Sequence, residues 1–363
     1  MKNITIDLRM IDSSGIGTYI QNLIPKIIKQ YQANYYLLGD ISKIKEYIDE
    51  KNNCVNYIST TSGLYSLKEQ FELLNLIPKN SSLFWSPHYV IPLFYKGKML
   101  VTVHDVFHLA KPEFIGGFHK KLYAKLMFKA VSKKADAIIS VSDFTKKDFL
   151  KFVNGNQDNI YTVYNGVNNF WRECRDRDID SNDSKPYIVY VGNVKPHKNL
   201  ISLVKAFEKI KNQIPHKLVI IGKKEGFITG DQEVIKYAEK LKDRIQFTGF
   251  VDDETLKQYI VNADALVFPS FYEGFGLPPL EAMACGCPVI VSNVASLPEV
   301  CGEAALYVDP YSPEDIAEKI KLLLSDDKLR EELRRKGLER AKLFSWEKCA
   351  EETIKVIEEV LAK

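Results

Sequence analysis

Short apolar runs alternate along the chain with longer stretches in which apolar residues return every three or four positions. The short runs read as strands and the longer stretches as helices. In the first half the runs fall at Ile4–Leu8, Tyr35–Gly39, Val55–Ser59, Leu83–Ser86, Met99–Val103, Ala137–Val141 and Tyr161–Tyr164. Helical periodicity marks Gly17–Gln30, Tyr65–Leu76, Gly117–Ser132 and Asp143–Phe152. The second half repeats the scheme, with strands at Tyr187–Val191, Leu218–Gly222, Ile245–Phe247, Ala265–Pro269, Val289–Val291 and Leu306–Val308. Its helices are predicted at Asn199–Lys211, Asp231–Lys242, Asp253–Val261, Leu277–Ala284, Pro313–Leu324 and Asp327–Leu343. Strand–helix alternation of this kind predicts α/β domains with doubly wound parallel sheets covered on both faces. The halves meet at the turn Asn165-Gly166, which predicts domains over 1–165 and 166–343. Ligands of such sheets bind at the carboxyl ends of the strands, so the predicted site is a cleft between the two domains.

The length, 363 residues, agrees with two domains. Arg172–Lys185 is polar, acid-rich and aperiodic, and reads as an exposed connector. Ser345–Leu361 reads as a last helix with Ser345 as its N-cap. Lys348 stands where a capping box needs Glu or Gln. Glu347 in the first turn suits the helix dipole.

Charge changes the picture only when divided. The whole chain carries a net of +3, too little basic surplus for a nucleic-acid binder. Residues 1–165 hold 21 Lys/Arg against 14 Asp/Glu, and residues 166–363 hold 29 against 33. Most of the first half's surplus lies in Lys111–Lys151, with ten lysines and four acids. Phe114, Phe118, Leu122, Tyr123, Leu126, Met127 and Phe128 are interleaved there. That segment reads either as a core-facing stripe with solvated lysines or as a peripheral membrane surface. Cys54, Cys174, Cys285, Cys287, Cys301 and Cys349 lack disulfide or zinc spacing and read as reduced thiols. Neither a signal-peptide apolar region nor a membrane-length apolar run is present, so a cytoplasmic protein is expected, with any membrane contact peripheral on the inner face.

Four motifs carry candidate chemistry, each at the end of a predicted strand or the start of a predicted helix. Gly15-Ile16-Gly17-Thr18-Tyr19 is read as a glycine loop opening a helix, where backbone amides and the helix dipole favour an anion. It is also compatible with a tight turn that needs small residues. It is no dinucleotide fingerprint, because Ile20 stands where G-x-G-x-x-G needs glycine. Gly192-Asn193-Val194-Lys195-Pro196-His197-Lys198-Asn199 presents lysines that could neutralise a diphosphate, or stay solvated. Glu273-Gly274-Phe275-Gly276-Leu277-Pro278-Pro279-Leu280-Glu281 combines a glycine turn with prolines suited to a first helical turn. Amides of Gly274, Phe275 and Gly276 can face a phosphate. Glu273 and Glu281 would repel that phosphate directly, and fit neutral hydroxyls at either end of a diphosphate. His104-Asp105 follows a strand, and His104 could bond a sugar hydroxyl or be satisfied by its neighbours. His104 and His108 have zinc spacing, but no third ligand is evident, so no metal is expected. Asp176, Asp178 and Asp180 lie in the acidic connector and read as solvated charge.

The Glu273–Glu281 stretch resembles the E-x7-E motif of retaining glycosyltransferase family 4. Pro288–Val291, Pro298-Glu299, Gly192…Lys198-Asn199 and Asn165-Gly166-Val167 resemble the same family. Gly15–Tyr19 and His104-Asp105 are similar to its subgroup of bacterial O-antigen mannosyltransferases. The resemblance covers nearly the whole chain. It implies the GT-B fold: two Rossmann-like domains, the first binding acceptor and the second the nucleotide sugar, with 344–363 packing back on the first. It further implies that Glu273 holds donor-sugar hydroxyls, Glu281 the ribose, and Gly274–Gly276 with Leu277 the phosphate or sugar oxygens. Lys198 would bind the diphosphate, Gly15 and Gly17 would approach it from the first domain, and His104 would meet the sugar near its 6-hydroxyl. Many members carry Arg where this chain has Asn193, so Lys195 substitutes or the clamp has one charge fewer.

The implied activity is retaining, metal-independent transfer of a hexose from a nucleoside diphosphate sugar to a glycan or lipid-linked acceptor in bacterial polysaccharide synthesis, with GDP-mannose the subgroup's donor and no cofactor needed. Two other classes fit parts of the pattern: a non-catalytic nucleotide-sugar-binding partner subunit, and a nicotinamide-dependent oxidoreductase, which the missing fingerprint disfavours.

Overall fold

Each predicted apolar run forms a strand in the computed structural model, which describes residues 1–48, 54–153, 155–173, 186–222 and 232–363. The first sheet contains β1 (Asn3–Asp7), β2 (Asn34–Gly39), β3 (Val55–Ser59), β4 (Leu83–Ser86), β5 (Met99–Val103), β6 (Ala137–Ser140) and β7 (Ile160–Thr162). The second contains β8 (Tyr187–Val191), β9 (Lys217–Ile221), β10 (Ile245–Gly249), β11 (Ala265–Phe268), β12 (Val289–Ser292) and β13 (Ala305–Val308). Their orders are β3-β2-β1-β4-β5-β6-β7 and β10-β9-β8-β11-β12-β13. Neighbouring strands pair in parallel, with Ile4 opposite Tyr35 and Leu83, and Ile188 opposite Leu218 and Ala265.

Both faces of these strands are covered, which is why they read as unbroken apolar runs rather than as alternating ones. Every residue of β4, β5, β6, β11 and β12 is buried. In each sheet the chain runs outward on one side and then returns to the other side of the first strand. The reversal falls between β1 and β4, and between β8 and β11. A crevice at the carboxyl ends of the strands belongs at such a switch point. The loops after β1, β4 and β5 therefore matter in the first sheet, and those after β8 and β11 in the second.

The chain divides into two units, Met1–Gly166 with Ser345–Lys363, and Val167–Phe344. The terminal helix Trp346–Ala362 lies against the helix Ser14–Gln30 and the strands β5 and β6. Ser345 Oγ accepts from Lys348 N at 3.1 Å, so it caps the helix without the reciprocal Glu of a capping box. Trp346 is buried, with its ring 6.0 Å from that of Tyr19. A Cβ at Gly166 would stand 2.1 Å from Trp346 N, so glycine is required where the chain passes the helix start. Glu347 does more than meet a dipole: its Oε1 lies 2.5 Å from Lys26 Nζ. Tyr161 OH donates to Glu359 Oε2 at 2.6 Å, and Lys98 Nζ to the Leu361 carbonyl at 3.3 Å.

The basic helix Phe118–Lys134 departs from a simple core-facing stripe. Ala124, Met127, Phe128 and Val131 are buried, but Phe118, Leu122 and Leu126 are 78%, 54% and 50% exposed. The interleaved apolar residues are thus two stripes on different faces, and the three exposed ones repeat at every fourth position along one side. Cys54, Cys285, Cys287, Cys301 and Cys349 are free thiols. Cys174, Asp176, Asp178, Asp180 and nearly all of the connector fall outside the described residues, as does Asp231, where one helix was expected to begin. Short helices at Ile41–Tyr47, Phe107–Ala110, Asn169–Arg172 and Leu297–Cys301 lack a full period of apolar residues and escape the pattern.

Candidate active site

In the second unit, β11 ends at Phe268 and a tight loop leads to the helix Leu277–Ala284, with Pro278 and Pro279 in its first turn. Gly276 caps this helix at φ +106, and a Cβ there would meet Leu297 Cδ2 at 2.7 Å. Ser296 Oγ donates across the loop, at 2.9 Å from the Glu273 carbonyl and 2.8 Å from the Phe275 carbonyl. Phe275 is buried with its ring 5.8 Å from Phe344, so its side chain anchors the loop.

The third and second motifs meet here. After β8 the chain forms a loop and a 3-10 turn, Pro196–Lys198, which brings Lys198 to Glu273. Lys198 Nζ lies 2.7 Å from Glu273 Oε1 and 2.8 Å from Oε2, with both side chains largely buried. The ammonium also sits 5.7 Å from the centre of the Phe268 ring. Asn199, buried and left-handed at φ +57, donates through Nδ2 to the Pro269 carbonyl at 2.9 Å and to the Pro310 carbonyl at 2.6 Å. It ties the end of β11 to the loop after β13. Phe271 N adds a bond to the His197 carbonyl at 2.8 Å. Gly222 permits β9 to approach β8 closely, since a Cβ there would lie 2.2 Å from the Gly192 carbonyl. Asn193 is part-buried, and its carbonyl accepts from Lys195 N at 2.9 Å, whereas the Lys195 residue is exposed.

Glu281 follows one turn into the helix, with only partial access to solvent. Burial and the nearby Asp253 carboxylate push its carboxyl up to about 8. At neutral pH it is therefore largely protonated, able to donate as well as accept a hydrogen bond. That protonation, and the positioning bonds of Asn199 and Ser296, are not legible in the motif alone. For Asn199 a signal existed, because Asn tolerates the left-handed conformation better than most residues; for Ser296 none did.

In the first unit the glycine motif differs from the expected loop. The helix already begins at Ser14, so Gly15 and Gly17 occupy its first turn. Gly17 N donates to the Ser13 carbonyl at 2.6 Å, and a Cβ at Gly17 would lie 2.5 Å from the Ile11 carbonyl oxygen. The glycine is needed because the preceding loop folds against the helix start. Gly15 has open space around it. Two residues on, the Tyr19 ring lies 4.8 Å from His104, edge to face. His104 follows β5, and its Nε2 is 2.8 Å from the Pro87 carbonyl. A carbonyl only accepts, so Nε2 carries the proton and Nδ1 is the unprotonated nitrogen. Burial, partly opposed by that hydrogen bond, lowers the His104 pKa and keeps the ring neutral. Among the described residues, no group of three or more His, Cys, Asp or Glu side chains forms a metal-ligating set.

Two doubly wound parallel-sheet units in one chain are the architecture of the GT-B fold. Residues 14–169 match the family model described as Glycosyltransferase Family 4, and residues 172–340 the model described as Glycosyl transferases group 1. The O-antigen chain mannosyltransferase B of Escherichia coli is 32% identical over 286 residues, covering 75% of this chain and 73% of that protein. The O-antigen chain mannosyltransferase RfbU of Salmonella typhimurium is 32% identical over 231 residues, covering 64% and 62%. Among solved structures, sucrose-phosphate synthase from Thermosynechococcus elongatus superposes with a TM-score of 0.82 over the whole of both chains at 21% identity. Anabaena HepE in complex with UDP and glucose gives 0.79 at 16% identity, with 99% of each chain covered. The chain belongs to the family 4 glycosyltransferases and is a glycosyltransferase resembling the O-antigen mannosyltransferases. That membership supersedes the nicotinamide-dependent reading.

Proposed function

We propose that this protein transfers mannose from GDP-mannose to a glycan or lipid-linked acceptor, with retention of the anomeric configuration and without a metal ion. The observation that carries the donor reading is the Lys198–Glu273 pair, which joins the turn after β8 to the loop after β11 beside the helix that Gly276 opens. Cleavage of a nucleoside diphosphate sugar builds negative charge on the departing diphosphate. A lysine and the start of a helix are suited to stabilise it. An ammonium has three N–H donors, and Glu273 oxygens take two of them. In this reading a bound donor divides the pair: the diphosphate draws on Lys198, and Glu273 accepts from sugar hydroxyls. Glu281, largely protonated, bonds the ribose as donor and acceptor. His104 and Gly17 keep the roles that the family resemblance assigns them. The acceptor proton passes to the leaving phosphate oxygen as the new glycosidic bond forms on the same face, so no protein nucleophile is needed.

The choice of mannose rests on the mannosyltransferase names of the relatives. The exposed Phe118, Leu122 and Leu126 stripe, set among the lysines of Lys111–Lys151, supports peripheral contact with an anionic membrane face. Among the described residues, no helix is long and apolar enough to cross a membrane.

Incubating the purified chain with a panel of nucleotide sugars, with and without lipid-linked acceptor, and following nucleoside diphosphate release tests the assignment. GDP-mannose turnover that survives chelator and is lost in Lys198→Ala is the expected result. Turnover of another donor overturns the mannose assignment. No turnover of any donor, with nucleotide sugar still bound, favours the non-catalytic partner-subunit reading.

A further inference from the structure

The carboxyl edge of the first sheet carries a second cluster that the donor chemistry does not use. Arg9, just past β1, is buried between two carboxylates. Its Nη2 is 2.7 Å from Asp7 Oδ2 and its Nη1 2.9 Å from Glu69 Oε2, while Tyr123 OH donates to Glu69 Oε1 at 2.9 Å. Burial alone would raise the Asp7 pKa, but the Arg9 charge and hydrogen bonds outweigh it and hold Asp7 ionised. Two carboxylates around one guanidinium leave this floor satisfied and with no surplus positive charge, a poor seat for an anion.

Against it lies His88, past β4 and 3% exposed. Its Nδ1 accepts from Val90 N at 2.7 Å, so the ring proton sits on Nε2. Nε2 is buried and has no hydrogen-bond partner. Burial, only partly opposed by Asp7, pulls the His88 pKa down to about 4, so the ring stays neutral at physiological pH. An unspent neutral N–H in a buried position is uncommon and calls for a partner.

Tyr65 covers it. The Tyr65 ring stacks on His88 at 6.3 Å and 21°, with Tyr89 at 6.4 Å and Tyr123 edge-on at 6.0 Å. Tyr65 is 48% exposed and has φ +62, a left-handed conformation that is costly for a bulky side chain. Such strain collects at ligand contacts, where the surrounding structure holds it.

We propose that Tyr65 and His88 form a subsite for a neutral pyranose ring of the acceptor glycan, the ring's C–H face lying on the Tyr65 ring and a ring hydroxyl accepting from His88 Nε2. Occupation turns the Tyr65 ring aside and uncovers Nε2. The subsite deepens the glycosyl-transfer reading and rests on it for the word acceptor; the binding itself does not depend on the donor.

The test is saturation-transfer NMR and calorimetry on the full chain with α-mannobiose as probe, mannose 6-phosphate as anionic comparison, and GDP binding as a separate readout. Wild type should bind α-mannobiose in preference to the phosphorylated sugar. Tyr65→Gly, which relieves the backbone strain, should keep its thermal midpoint and GDP binding and weaken α-mannobiose by about tenfold or more. His88→Phe should weaken it similarly. No saccharide binding by wild type, undiminished binding by Tyr65→Gly, or preference for the phosphate overturns the subsite. Loss of GDP binding by wild type is the distinct signature of a wrong donor reading.

Discussion

Lys198 Nζ lies within 2.8 Å of both carboxylate oxygens of Glu273, although 75 residues separate them. Truncating either partner strands the other in a largely buried position, so each single change is expected to hurt more than the pair is worth. Lys198→Ala should lower kcat by about 10²–10³, the usual loss for one donor to a developing anion. In a double-mutant cycle with Glu273→Gln, the two effects on thermal stability should be strongly non-additive. Additive stability changes would mean that the pair does not exist in solution.

Glu281 makes stability depend on pH. Its folded pKa, about 8, stands above the ordinary value of 4.5, so the folded chain holds a proton that the unfolded chain gives up. Stability is therefore fully present below the unfolded value and falls as pH rises from about 4.5 to about 8. Glu281→Gln cannot ionise. Its melting temperature relative to wild type should rise steadily across that window, and a flat difference would rule out the raised pKa.

The two glycines of the first helix should separate cleanly. Gly17→Ala places a methyl 2.5 Å from a backbone carbonyl and should cost about 1–3 kcal/mol in denaturant unfolding. Gly15→Ala meets nothing and should change stability by no more than about 1 kcal/mol, in the stabilising direction if at all. Equal effects would show that the helix starts elsewhere.

The terminal helix should be held by packing rather than by charge. Trp346→Ala empties a buried indole site and should cost about 3–5 kcal/mol. Glu347→Ala removes a solvent-exposed ion pair with Lys26 and should cost at most about 1 kcal/mol.

The exposed stripe of the basic helix offers a test without a folding penalty. Changing Phe118, Leu122 and Leu126 together to Ser leaves the buried face of Ala124, Met127, Phe128 and Val131 intact. The melting temperature should hold, and sedimentation with phosphatidylglycerol vesicles should fall sharply. Unchanged vesicle binding would remove the membrane reading.

The positions of the strands and helices in both units follow from features that are local in sequence, whereas the order of the strands within each sheet does not. Buried parallel strands read as apolar runs, and the helices between them show their period, so Ala265–Phe268 and Leu277–Ala284 were legible within a residue or so. The motif Glu273–Glu281 was legible for the same reason: glycine, proline and acid lie in one continuous stretch. The helix start at Ser14 was not, because the glycines there look like a loop until the Ile11 carbonyl is seen packed against Gly17.

What the sequence by itself determined is the α/β architecture, the two halves and the residue types gathered at the strand ends. Tertiary structure alone decided that Lys198 and Glu273 are partners, that Glu281 is held protonated, and that Phe118, Leu122 and Leu126 face outward while their neighbours enter the core. The physical reason is range. Periodicity and turn chemistry act over a few residues and leave a mark in order of sequence. Desolvation, ion pairing and the choice of buried face depend on residues far apart in the chain, whose meeting only the folded sheet arranges.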